Sequence, residues 1–240
     1  MAAAVCGGLV ATLTACASED PDAGTNGVGK LSAAKIETKS RKAAEQADAV
    51  RLSGDVISQG RTYSLEMRLK RDDGGTGKVS SKGGSTFELL RTGKDLYLKA
   101  DTDFWAKQEK GGGEPSESDV DAARKLQNKY VKVPHGDPAY QQFSGFTDMS
   151  VMLDGLLTLN GKRATGERGT VRGTKTIRVV AGKGGGGIVD VSLMGTPYPL
   201  RVERGGQAGV LQLEDWNKDF DLEPPEKNEI VDYGKSISAD

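Results

Sequence analysis

Between residues 63 and 70 the chain alternates. Tyr63, Leu65, Met67 and Leu69 are apolar, and Ser64, Glu66, Arg68 and Lys70 are polar. A period of two puts each set on its own side of an extended chain, so this segment predicts a strand with one buried face. Residues 86–91 and 95–100 flank Thr92-Gly93-Lys94 and predict a hairpin. Residues 130–133 predict another strand. Val171 and residues 174–181 predict one or two more, and residues 188–193 a further one. Residues 200–204 and 210–213 predict a hairpin about Gly205-Gly206. Gly74-Gly-Thr-Gly77 reads as a turn leading into Lys78.

Helical spacing occurs in fewer places. From Ser32, the residues Ile36, Ala43, Ala44, Ala47 and Val50 share one face, which predicts an amphipathic helix ended by Gly54. Ser118 with Asp121 resembles a weak capping box for a short helix reaching Asn128. Asp137-Pro138 is a helix start, with Asp as cap and Pro at the first helical position. Met149, Met152, Leu153, Leu156 and Leu157 repeat at helical intervals, and Asn160-Gly161 closes that element. The expectation is eight to eleven strands and three or four helices. Successive hairpins without strand-helix-strand alternation imply an antiparallel sheet in an α+β domain.

The first thirty residues follow neither pattern. A short apolar run ends in Leu13-Thr14-Ala15-Cys16 and turns polar at once. A medium apolar residue three before a cysteine, with small residues between, is a lipobox, the cleavage site of a bacterial lipoprotein signal. Residues 1–15 are therefore expected to be a signal peptide, Cys16 the diacylglyceryl-modified first residue, and residues 16–30 a flexible tether. Residues 17–30 could span about 45–50 Å extended and about 20 Å as a coil. A secretory signal opens with positive charge, whereas the first basic residue here is Lys30; the expectation is that the true start lies upstream, the alternative being that the segment is not a signal.

Composition narrows the function. The chain has 240 residues, and about 210 beyond signal and tether suit one domain, placed at 31–240. With 33 basic and 34 acidic residues and no basic stripe, nucleic acid is not expected as a partner. Cleavage before Cys16 would remove Cys6, so no disulfide framework is expected and the core must hold the fold.

No catalytic constellation emerges. Gly182, Gly184 and Gly187 match G-x-G-x-x-G, but a strand-like segment follows where a phosphate-binding helix would be needed, so they read as a hairpin turn. His135 is the only histidine; Asp137 and Ser144 are nearby in sequence, but no G-x-S-x-G elbow supports a triad. One histidine and one retained cysteine cannot make a zinc site, and Asp101 and Asp103 lack the rest of a calcium loop. The chain is read as a non-enzyme with no metal and no cofactor. Trp105 and Trp216 read as core or edge filler rather than stacking platforms.

Several stretches together resemble the LppX/LprG lipoprotein family, related in fold to LolA and LolB. They are the lipobox and tether, a first helix leading into strands, Phe87-Glu-Leu-Leu-Arg and Asp95-Leu-Tyr-Leu, Trp105, Tyr130-Val, and a central helical patch. Gly195-Thr-Pro-Tyr-Pro-Leu-Arg-Val202, Asp215-Trp216-Asn217 and Pro224-Pro225 complete the order. The resemblance covers nearly all of residues 31–235. It implies a strongly curved antiparallel half-barrel, with helices packed on its concave face and an apolar cavity between. It further implies binding of an acylated lipid or glycolipid, carriage of that lipid to the cell envelope, and a possible transporter partner in the membrane. The protein would sit on the extracytoplasmic face of the bacterial cell membrane, anchored by lipid. On this reading Leu65, Met67, Leu69, Phe87, Leu89, Met149, Met152, Leu153, Leu156, Ile177 and Val179 line the pocket. The competing expectation is a surface-tethered interaction or regulatory module with a closed core and no ligand.

Overall fold

The computed structural model describes residues 20–58, 60–82, 84, 86–110 and 115–231. Helix α1 (Ala33–Gln46) is followed by strands β1 (Ala49–Ser58), β2 (Arg61–Lys70), β3 (Gly74–Ser81), β4 (Thr86–Thr92) and β5 (Asp95–Ala100). Then come α2 (Thr102–Lys110), α3 (Glu117–Arg124), β6 (Tyr130–Val133), α4 (Pro138–Thr147) and α5 (Met149–Leu157). The last part is β7 (Arg163–Val171), β8 (Thr174–Ala181), β9 (Ile188–Ser192), β10 (Pro199–Glu203), β11 (Gly209–Glu214) and the short β12 (Ile230–Val231).

All twelve strands form one sheet in the order β12-β6-β5-β4-β3-β2-β1-β11-β10-β9-β8-β7. Two antiparallel meanders, β1–β6 and β7–β11, are joined where β11 pairs with β1, with Leu52 opposite Leu213. Among the described residues only the β12–β6 pair is parallel, so the sheet is mixed rather than wholly antiparallel. It stays open, with β7 and β12 as its edges. Register explains why one face buries. Val131, Leu98, Leu89, Gly77, Met67, Leu52 and Leu213 lie in one row across seven strands. The side chains of that row are shut off from solvent. Outward neighbours pair by charge, as in Arg51 with Glu66 at 2.5 Å and Lys78 with Glu88 at 3.0 Å.

The helices cover the inward face. Twelve strands laid flat would be about 53 Å wide, while α1 with 14 residues is about 21 Å long. The sheet curls around its helices as a half-barrel. Helix α4 packs on β2, β3 and β4, and α1 crosses to β7, β8 and β10. Trp105 is fully buried. It meets Phe104 edge-on at 5.1 Å, Phe104 lies 5.8 Å from Phe87, and Phe87 lies 5.2 Å from Phe143. These rings fill the centre of the concave side, each burying a large apolar area.

Several expectations change. The first helix ends at Gln46, because Ala47 turns extended; Val50 and Gly54 belong to β1. Gly54 is not a helix stop but a point of close approach, with φ +141° and Val210 O only 2.2 Å from where a Cβ would sit. The stretch 74–77 is the start of β3 rather than a turn. At Gly77 a Cβ would lie 2.1 Å from Glu66 O and 2.6 Å from the Met67 sulfur. The capping box is formed by Ser116 and Asp119, two residues before the expected pair. The described residues hold twelve strands and five α-helices, more than expected. Strand β7 carries little alternation because it is a mostly exposed edge, so only its last residue stood out.

Residues 20–30 also differ from a free tether. Asn26 donates its backbone N–H to Leu193 O at 2.7 Å and its side-chain amide to Ser192 O and Gly195 O, both at 3.0 Å. Asp22 pairs with Arg168 at 2.5 Å, and Val28 is buried in the core. This segment is strapped to the end of β9. The lipobox residues Leu13, Thr14 and Ala15, together with Cys16, lie outside the described residues.

Candidate functional site

The cavity of interest forms where α1 and α5 run side by side beneath the β2–β3 turn. Helix α1 needs a narrow apolar face to fit here, and Ala44 and Ala47 supply it with side chains too small to fill the gap. Helix α5 is started by Asp148, whose Oδ1 accepts from Ser150 N at 3.0 Å and Val151 N at 3.1 Å. That start turns Met149, Leu153 and Leu157 toward the same space. This open-mouthed cavity has a volume of about 560 Å³, within the range of about 300–1,000 Å³ typical of small-molecule sites.

An apolar wall of Ala44, Ala47, Met149, Leu153 and Leu157 meets a charged rim of Arg41, Glu45, Arg71, Asp72, Arg91, Asp148 and Asp154. The rim cations are all engaged. Arg41 pairs with Asp154 at 2.8 Å and donates to Leu157 O at 3.3 Å, which ties α1 to α5. Arg71 donates through Nε to Ala47 O at 3.0 Å. Arg91 donates to Thr147 Oγ1 and Thr147 O, each at 3.0 Å, to Gly93 O at 2.8 Å and to Asp148 at 3.4 Å. These bonds hold the opening in shape. No group of metal-ligating side chains occurs among the described residues. The arrangement can hide apolar surface; its arginines are spent on neighbouring carboxylates and backbone carbonyls.

Burial pushes the Asp148 carboxyl up, but the Ser150 hydroxyl, the Val151 and Ser150 amides and the Arg91 charge outweigh it. The group is held below the ordinary 3.8. A carboxyl depressed in the folded state stabilises the fold above its unfolded pKa and loses that contribution as pH falls through the folded value. Stability should therefore drop as pH falls from about 4 downward. Asp148→Asn should flatten that part of the unfolding profile, measured by thermal melts from pH 5 to 2.

The residues expected to line a pocket divide. Met149 and Leu153 line this cavity. Met152 is half-buried against the core, and Leu156 is buried in it. Leu65, Met67, Leu69, Phe87 and Leu89 are buried in the inward rows of β2 and β4, under α4, and do not line this space. Ile177 is core; Val179 borders a void of about 10 Å³ behind Leu157, too small for a ligand. Sequence reasoning missed Ala44, Ala47, Arg41, Arg71, Arg91 and Leu157 as lining. A signal existed for three: Ala44 and Ala47 are small residues on a helical face, and Leu157 lay on the face already noticed. Nothing in the sequence marked the arginines.

The catalytic candidates stay apart. His135 is exposed, with its ring 4.6 Å from that of Tyr140. Asp137 caps α4 through Ala139 N at 2.9 Å, and Ser144 donates to Gln141 O. Gly182–Gly184 form the β8–β9 turn. Trp216 stacks on Tyr198 at 4.7 Å and donates to Pro199 O at 3.1 Å, which ties the end of β11 to the start of β10.

No family model and no curated protein matches the sequence. Solved structures do match. LprF from Mycobacterium bovis aligns over 80% of this chain and 96% of its own, at 13% identity and TM-score 0.52. The lipoprotein LppX of Mycobacterium tuberculosis aligns over 80% and 98%, at 12% identity and TM-score 0.46. An uncharacterised protein of Thermus thermophilus aligns over 83% and 98%, at 10% identity and TM-score 0.37. By the first of these likenesses, the open half-barrel with helices on its concave face is the fold of LprF.

Proposed function

We propose that the protein is a membrane-anchored extracytoplasmic lipoprotein that holds an acyl chain of a lipid or glycolipid in the α1–α5 cavity and carries it toward the cell envelope. The observation that carries this reading is the cavity of about 560 Å³ with one apolar wall and a charged rim. An acyl chain exposed to water costs about 0.8 kcal/mol per CH₂. A dry wall removes that cost, and the charged rim leaves the headgroup in a polar setting. A membrane transporter as donor or acceptor belongs to the same reading. The packed rings around Trp105 favour the second reading, a closed-core interaction module, for the middle of the concave face alone.

Mass spectrometry of an organic extract of the purified Cys16→Ala chain tests the choice. Acyl lipid in near-stoichiometric amount supports the carrier, and a lipid-free extract supports the module. The anchor has its own test. Cys16→Ala should move the protein from the membrane to the soluble fraction, and retention on membranes would contradict lipidation at that residue.

A further inference from the structure

We propose that the rim of the half-barrel holding the cavity opening is the face that rests on the bilayer, with Met194 and Val151 as its apolar contacts; this rests on the reading of Cys16 as the lipidated residue. The first observation is where the chain ends. Asp20 is fixed, since it pairs with Lys30 at 3.0 Å and accepts from Ala23 N at 2.8 Å, while Asn26 is bound to the end of β9. From Cys16 to Asp20 four residue steps span at most about 14 Å. A bilayer that holds Cys16 is therefore within that distance of Asp20, far closer than a free fourteen-residue tether would bring it.

The second observation is the geometry of the rim. Asn26 sits at the carboxyl end of β9, where Ser192 N donates to Tyr198 O ahead of β10. Trp216, just after β11, donates to Pro199 at the start of β10. Glu214 of β11 faces Arg51 near the start of β1, and Ala49 faces Lys70 at the end of β2. The next residues, Arg71 and Asp72, line the cavity opening. Asn26, six residues from Asp20, and the opening thus share one rim, separated by four strand spacings or about 19 Å.

The third observation is the exposed apolar side chains. Four large ones are strongly exposed among the described residues. Met194, 45% exposed, follows β9 beside the residues Asn26 binds, and Val151, 57% exposed, is in the first turn of α5 next to the cavity residue Ser150. The other two, Ile57 and Val210, are diagonal neighbours on the convex face toward the opposite rim. They form the rival contact, and the short link to Cys16 decides against them. In this orientation an acyl chain passes between bilayer and cavity without crossing water.

The test uses the full chain, processed in its host and reconstituted in phosphatidylcholine vesicles containing a doxyl-labelled phosphatidylcholine. Single substitutions Met194→Cys, Val151→Cys, Ile57→Cys and Lys183→Cys each carry an environment-sensitive fluorophore; Lys183 is on the β8–β9 turn at the far rim. The expected result is a roughly twofold fall in emission at 194 and 151, as for side chains within ~5–10 Å of the acyl boundary, and none at 57 and 183. Quenching at 57 or 183 with the protein on the vesicles overturns the orientation alone, as does quenching nowhere. If the unsubstituted chain takes up the thiol reagent and stays off the vesicles, Cys16 is free and the anchor reading fails with it.

Discussion

Replacing Leu153 with tryptophan should weaken binding of a fluorescent fatty acid about tenfold or more while the protein still folds. Leu153 is buried and projects from α5 into the cavity opposite Ala44 of α1 and Ala47 just after it. An indole there occupies space that an acyl chain would use. Losing contact with two methylenes at about 0.8 kcal/mol each is about 1.6 kcal/mol, close to a tenfold change in affinity. Overpacking should cost the fold about 1–3 kcal/mol, so circular dichroism and a melting curve must accompany the titration. Leu153→Ala is the counterpart. It should keep or improve binding and lose about 2–5 kcal/mol of stability by leaving a larger hollow. Unchanged affinity in Leu153→Trp would move the ligand site elsewhere.

The largest effect on stability is expected at Gly54. This residue lies in β1 where β11 joins the two meanders, and both halves of the sheet depend on that pairing. A side chain would meet Val210 O at 2.2 Å and the Leu211 Cα at 3.0 Å, both backbone atoms that cannot step aside. Its φ of +141° is also a conformation that residues with a Cβ rarely adopt. Gly54→Val should therefore cost on the order of 4 kcal/mol, or leave the chain unfolded. Gly93→Ala is the control. Gly93 has φ +56° with open space around it, so only about 1–2 kcal/mol of backbone strain is expected there. Urea unfolding midpoints compare the two. A Gly54→Val shift no larger than that of Gly93→Ala would mean that the β1–β11 seam does not hold the sheet together.

These contrasts show which parts of the molecule were legible in the sequence. A strand with one wet face announces itself, as β2 did because its inward and outward sets differ in polarity, while β4 and β5 were read from the Thr92-Gly93-Lys94 turn between them. Asp137-Pro138 marked α4 because capping is local chemistry. The glycines misled for a physical reason. In Gly54 and Gly77 the missing side chain serves a neighbouring strand distant in sequence or folded back beside it, which composition cannot distinguish from a turn. Strand β7 was mostly hidden because an exposed edge has no buried set to alternate with. The cavity was legible only in part. Met149 and Leu153 came from the helical spacing of α5, but the opposing wall depends on how α1 crosses the sheet. The rim arginines depend on backbone carbonyls such as Ala47 O and Thr147 O, whose positions exist only in the folded chain. The straps from Asn26 to the end of β9 were invisible for the same reason, since a polar, turn-rich segment reads as a linker until its partners are in place.

The central claim is that an acyl chain occupies the space between α1 and α5. Photo-crosslinking with a diazirine-bearing fatty acid, followed by peptide mapping of the folded protein, tests it most directly. The account predicts label on peptides carrying residues 41–47 and 149–157, competed away by unlabelled fatty acid. Label confined to β2, β4 or the convex face, or none that competes, would contradict it.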